Sequence, residues 1–159
     1  ENKNKLIVTL MKEKIAAQVA SINQGIEGVT NAVEELLLAV EKMEEILSQA
    51  NPTLFFDLQK YYPEAWSLFR DFREHILYQK VLQNLQWGIV QKYYRPDINV
   101  EIIARLRVEQ IDMAFNQQVF PVQKFSISQV IRTLTEHFIY GISTESGRQI
   151  MADFKQASQ

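Results

Sequence analysis

The chain has no cysteine, so disulfides and thiolate metal sites are excluded. Only five glycines and four prolines occur in 159 residues. With so few breakers, apolar residues recur at spacings of three and four along most of the chain, the helical period. An all-α fold is expected. No apolar run approaches the roughly 18 residues needed to cross a bilayer. The opening ENKNKLIVTLMKEK is too charged and too interrupted for a secretory signal. Neither sign of charge is in large excess, and a net charge of −2 gives no reason to expect nucleic-acid binding by this segment. A soluble, reducing, cytoplasmic setting is the default reading. The composition, 47% hydrophobic and 23% charged, is that of an ordinary globular protein, and residues 1–159 suffice for one domain with a sizeable core.

Catalytic motifs are missing too. There is no GxGxxG, P-loop, GxSxG or HExxH. The two histidines, His75 and His137, fall on different helices. Asp71 could orient the His75 imidazole across one helix turn, but no nucleophile is identifiable beside it. No catalytic residue, metal ligand or cofactor is assigned, and an enzyme is not expected.

What the chain does have is a dense aromatic stretch, NPTLFFDLQKYYPEAW (51–66), with five aromatics and two prolines in sixteen residues. Asn51 is positioned to cap a short helix with Pro52 at its first position. Tyr62, before Pro63, is pushed out of helical geometry, so that helix must end there and Pro63 can open the next. A short aromatic helix wedged between longer ones can hold them apart and leave a cavity.

Before the wedge, a first helix is expected from Lys3 or Asn4 to about Gln24, with Val8, Met11, Ile15, Val19, Ile22 and Ile26 on one stripe. Its early lysines read either as a solvated face or as proximity to an anionic partner. Asn31 and Glu34 have capping-box spacing for a second helix, with a seam of Val29, Val33, Leu36, Val40, Met43 and Leu47. Its glutamates read as a solvated outer face. After the wedge a long helix is expected from Pro63 to about Tyr94, with Ala65, Phe69, Phe72 and Ile76 inward. Around Gln79 and Lys80 its stripe is interrupted, by a bend or by polar groups facing an interior space. Asn99 then caps a helix to about Phe115, in which Arg105 and Glu109 have the i,i+4 spacing of an ion pair, worth only tenths of a kcal/mol if exposed. Residues 116–124 form a loop, Ser126 caps a helix to Ile142, and a weaker helix spans about Glu145 to Gln156.

Several stretches resemble the TetR/AcrR family of bacterial transcriptional regulators: the opening ENKNKLIVTLMKEKI, with Asn2-Lys3 and Leu6, then NPTLFFDLQKYYPEAWSLF, YRPDINVEIIARL and FPVQKFSISQVIRTLTEHFIYGI. Their order and spacing carry the resemblance, which extends over essentially the whole chain. It implies a TetR-like C-terminal helical bundle for effector binding and dimerisation. Residues 1–24 would be the helix joined to a missing helix-turn-helix domain, through which alone the intact protein would meet operator DNA.

The resemblance implies a mostly apolar pocket for a small-molecule effector, drawing on Val40, Met43, Phe55, Tyr62, Trp66, Phe69, Phe72, Gln83 and Trp87. It also implies a homodimer through the last two long helices, with Ile103, Leu106, Ile111, Ala114, Ile127, Val130, Ile131, Leu134, Phe138 and Gly141 as interface candidates. No membrane partner is implied. Ordinary core packing is the competing reading of all these residues. The competing function is a free-standing helical interaction module with no ligand pocket.

Overall fold

Helix caps and breaks written into the sequence divide the chain. The structure, a computed structural model, describes residues 2–51 and 53–159. Helix α1 (Asn2–Gly25) is followed by Gly28, whose φ of +80° turns the chain in a region that L residues rarely enter. Helix α2 (Ala32–Ser48) is capped by Asn31, whose side chain accepts from the Glu34 amide at 2.9 Å.

The aromatic stretch forms α3 (Leu54–Tyr61) and opens α4 (Pro63–Phe72). Tyr62 between them has φ −133° and ψ 63°, the non-helical geometry that a following proline imposes. The expected Asn51 cap is not formed. Thr53 is the cap residue, and the Asn51 Oδ1 instead accepts from the Thr53 amide at 3.0 Å and from its hydroxyl at 2.9 Å. A local side-chain turn thus competes with the cap. Pro52, expected at the first helical position, lies outside the described residues.

The long helix after Pro63 is not one α-helix. A π-helical turn, Arg73–Leu77, separates α4 from α5 (Tyr78–Val90). Each π turn holds one residue more than the α period, so the inward register slips by one. Ile76, expected inside, is 45% exposed, whereas Arg73 is buried. The irregularity therefore lies ahead of Gln79 and Lys80, both exposed on α5. Helix α5 stops at Val90, short of the expected end near Tyr94. Lys92 there adopts φ +65°, and the Tyr93 and Tyr94 amides both donate to the Gly88 carbonyl.

Asn99, Ser126 and Thr144 cap α6 (Val100–Ala114), α7 (Ile127–Ile142) and α8 (Glu145–Ala157), each accepting from the amide three residues on. In the loop before α7, Phe120 and Phe125 meet edge to face at 5.8 Å. Among the described residues the ion pair of Arg105 is not with Glu109, whose charge favours the guanidinium from farther away. Arg105 reaches across to Glu74 on the π turn at 2.5 Å, because the slip brings that carboxylate against α6.

Helix α2 packs against α1, α5, α7 and α8, while α6 packs against α5 and α7. One apolar cluster joins Val33, Leu37, Leu85, Ala104, Ile139 and Met151, so α8 is firmly built in rather than weak. A second joins Val40, Ala114, Phe115, Ile127, Val130 and Ile131. Helix α1 has no buried residue at all.

Gly88 is required where α5 meets the turn after it, since a Cβ there would meet Tyr94 ring carbons at 2.0–2.6 Å, and Tyr94 is fully buried. Gly88→Ala is expected to destabilise the fold by about 1–3 kcal/mol through overpacking. Urea denaturation checks this: an unchanged midpoint would mean that the tyrosine is not held in place.

Candidate functional site

Helix α1 crosses a hollow that the two apolar clusters leave unfilled. Its stripe of Met11, Ile15, Val19 and Ile22 faces a cavity of about 830 Å3, whose walls are drawn from α1 through α7. Helix α1 packs along α2 and α4, yet none of its residues is fully buried, because its apolar stripe borders the hollow. The opposite wall is α5, where the π turn sets the register. The lining residues Phe69, Phe72, Leu77, Val81 and Asn84 follow steps of three, five, four and three, and the five-residue step spans the π turn. Without that slip the faces of α4 and α5 would diverge.

Aromatic contacts close one end. Phe55 of α3 packs on Phe115 with ring centroids 4.8 Å apart, and Phe69 of α4 meets Phe115 edge to face at 5.6 Å. Trp66 extends this group against Phe69 at 5.1 Å. Such pairs add about 0.5–1.5 kcal/mol each beyond the area they bury. The wedge is therefore a stiff end wall.

Of the pocket candidates, Val40, Met43, Phe55, Phe69, Phe72, Gln83 and Trp87 line the cavity. Tyr62 does not. It lies on an adjoining, more open groove of about 650 Å3 between α1 and α3, which shares Met11, Leu54 and Leu58 with the cavity wall. Trp66 lines neither and packs among the aromatics, because α4 turns it away from the hollow.

The interface candidates divide more sharply. Ala114, Ile127, Val130, Ile131 and Phe138 are buried within the chain itself and leave no surface for a partner. Ile111 and Ile131 line the cavity, and Ile103 and Leu134 are half-buried against the clusters. Leu106 and Gly141 do face outward. The apolar surface that α6 and α7 show is Ile102, Leu106, Met113 and Tyr140, which are 65, 46, 37 and 47% exposed.

Two buried polar lining residues were not singled out from the sequence. Asn84 is buried, and its Nδ2 donates to the Ala32 carbonyl and to Glu35 Oε1, each at 2.9 Å. Its Oδ1 accepts from the Tyr94 hydroxyl at 2.8 Å. Burial, and after it the Glu35 charge, push the Tyr94 phenol well above its usual value.

Arg107 is the second. It is only 4% exposed, yet it lines the cavity. Its hydrogen bond among the described residues runs from NH2 to the Thr135 hydroxyl at 2.5 Å, and that hydroxyl donates onward to the Ile131 carbonyl. Arg73, Arg105 and Arg132 each reach a carboxylate, whereas Arg107 forms no ion pair among the described residues. Burial holds its guanidinium down to about 10, so at neutral pH it remains a cation. A cation–π contact with the Phe138 ring at 5.3 Å offsets part of the cost. That contact is worth roughly 0.5–2 kcal/mol, against a desolvation penalty of several kcal/mol per ion. A visible signal marks this residue: Arg107 interrupts the apolar stripe Ile103, Ile111, Ala114 at its four-residue spacing.

Among the described residues no cluster of His, Asp or Glu could hold a metal, and no helix is long and apolar enough to cross a membrane. His75 and His137 are both exposed.

No protein-family model matches the sequence, and no curated protein matches it either. Among solved structures, the ketosteroid transcriptional regulator KstR2 of Mycobacterium tuberculosis is similar, with a TM-score of 0.66 at 17% sequence identity. The match covers 90% of this chain and 74% of that one. The fold is TetR-like. At so low an identity the likeness speaks for architecture, and the cavity must be read from its own residues.

Arg107→Met removes a buried charge without opening space at the helix surface. Replacing a buried ion by an apolar side chain of similar length is commonly neutral or stabilising, by about 1–4 kcal/mol. The variant is expected to melt at or above the wild-type temperature. A large drop in Tm would show that Arg107 serves the fold.

Proposed function

We propose that this chain is the ligand-sensing and dimerisation domain of a TetR-family bacterial transcriptional regulator. It would control operator DNA binding in response to a small, largely apolar effector. The observation that carries the reading is the hollow of about 830 Å3, walled mainly by aliphatic and aromatic side chains. Small-molecule sites have this scale and this mixture of apolar wall and few polar groups. A helical interaction module with a filled interior would not keep such a space. The likeness to a regulator named for ketosteroids supports the same direction.

In this reading the effector takes the place of core against α1. It shifts the population of α1 positions and thereby the spacing of helix-turn-helix domains joined ahead of α1 in a cytoplasmic homodimer. A coupling of about 1–3 kcal/mol is enough for such control. The dimer would use the outward faces of α6 and α7, where Ile102, Leu106, Met113 and Tyr140 are exposed and Gly141 has nothing within 4 Å of an added Cβ. The two faces would meet their twofold mates in an isologous contact.

Two measurements test these parts separately. Nile red, an uncharged apolar dye, is expected to bind and fluoresce, and Ala39→Trp, placing a large ring on the cavity wall, is expected to abolish the signal while helical circular dichroism persists. Dye binding unaffected by the filled wall would count against the pocket. Sedimentation velocity is expected to show a dimer, with Leu106→Glu weakening association about tenfold or more. A wild-type monomer at micromolar concentration would remove the dimerisation half of the reading.

A further inference from the structure

The buried Arg107 guanidinium has no carboxylate partner among the described residues. Among the described residues Arg107 uses one of its five N–H donors, on Thr135, and it stands in the wall of the apolar hollow. Glu35, the carboxylate on the cavity wall, is held by Asn84 and is no ion-pair partner of Arg107. The wall as a whole leans positive, with Lys14, Lys80 and Arg107 against Glu35, although the complete chain carries −2.

From this we infer that the effector is an amphipathic carboxylic acid, whose carboxylate docks on the Arg107 guanidinium while its apolar body fills the space beneath α1. The inference rests on the reading of the hollow as an effector site and names the chemical class that the site selects. The planar fork of a guanidinium matches a carboxylate in a bidentate pair, which is strongest where water is excluded. A neutral apolar ligand would do the opposite. It would displace the water nearest the guanidinium and leave the charge buried beneath it. A cationic ligand would add repulsion to that cost. Thr135, itself tied to the Ile131 carbonyl, fixes the orientation of the guanidinium before anything binds.

The test compares three probes of equal alkyl length by isothermal titration calorimetry: decanoate, 1-decanol and decylammonium, all below their micellar concentrations. Wild-type protein is expected to bind decanoate about tenfold or more tightly than decanol, the scale of one charge-assisted hydrogen-bonded pair. Decylammonium should bind weakest. In Arg107→Met the decanoate preference should vanish, with decanol bound as tightly as by wild type or more tightly, since the charge that a neutral ligand would leave buried is gone. Arg107→Gln, which keeps a polar end for Thr135, carries the same expectation and guards against a folding defect in the first variant. Equal wild-type affinities for decanoate and decanol would overturn the inference and leave the apolar effector site standing. A preference that survives in both variants would also overturn it. Binding of none of the three probes would overturn the effector-site reading itself.

Discussion

The backbone of Ala32 is the point on which the molecule is hung. The Gln91 side chain accepts from its amide at 2.9 Å, and Asn84 donates to its carbonyl at the same distance. The Tyr94 hydroxyl lies 3.1 Å from that carbonyl and 2.8 Å from Asn84 Oδ1. Gln91 also donates to the Thr30 carbonyl at 2.8 Å, so the chain entering α2 is gripped on both sides. Buried polar groups so fully paired fix a position far more closely than apolar contact does, because each broken pair leaves a desolvated group behind. With α2 pinned to α5 in this way, α7 and α8 have a rigid surface on which to pack.

That pinned end allows the other end to be hollow. A cavity of this size forfeits dispersion contacts along its whole lining, and such a loss is tolerable only if the rest of the domain is dense. Here the dense part is the cluster around Leu85, Ile139 and Met151, each fully buried. The aromatic wedge then keeps α3 and α4 from collapsing inward. A single π turn aims α4 and α5 at the same space. The fold thus separates the residues that hold it together from those that face the hollow, with Asn84 as the bridge between them.

The helices and their caps were legible in the sequence because they depend on neighbours along the chain. Asn31, Asn99 and Ser126 cap where a short-range rule places them. The π turn was not legible, because a reading at a 3.6-residue period assumes continuity and so put Ile76 inside and passed over Arg73. Trp66 and Tyr62 left the pocket for a related reason: their direction depends on how α4 leaves Pro63 in three dimensions. On α6 and α7 the apolar stripes are wide enough to serve both an interior and an outer surface. Spacing alone could not separate Val130, which faces in, from Leu106, which faces out. Arg107 was visible as an interruption of its stripe. Its meaning required knowing that the stripe looks onto a cavity.

Helix α1 has a mechanical consequence of its own. At 24 residues it is a beam about 36 Å long. Its turn-side end is tethered through the Val29–Ile26 and Glu27–Gln24 backbone bonds, and its middle rests on the hollow. Although α1 also packs along α4, a beam held at one end magnifies a displacement applied at its middle. A tilt of about 5° about the Gly25 end would carry the Asn2 end roughly 3 Å, given the helical rise per residue. Changes of side-chain size beneath α1 are thus geared up along its length, and the far end of the helix travels farther than the space that caused it.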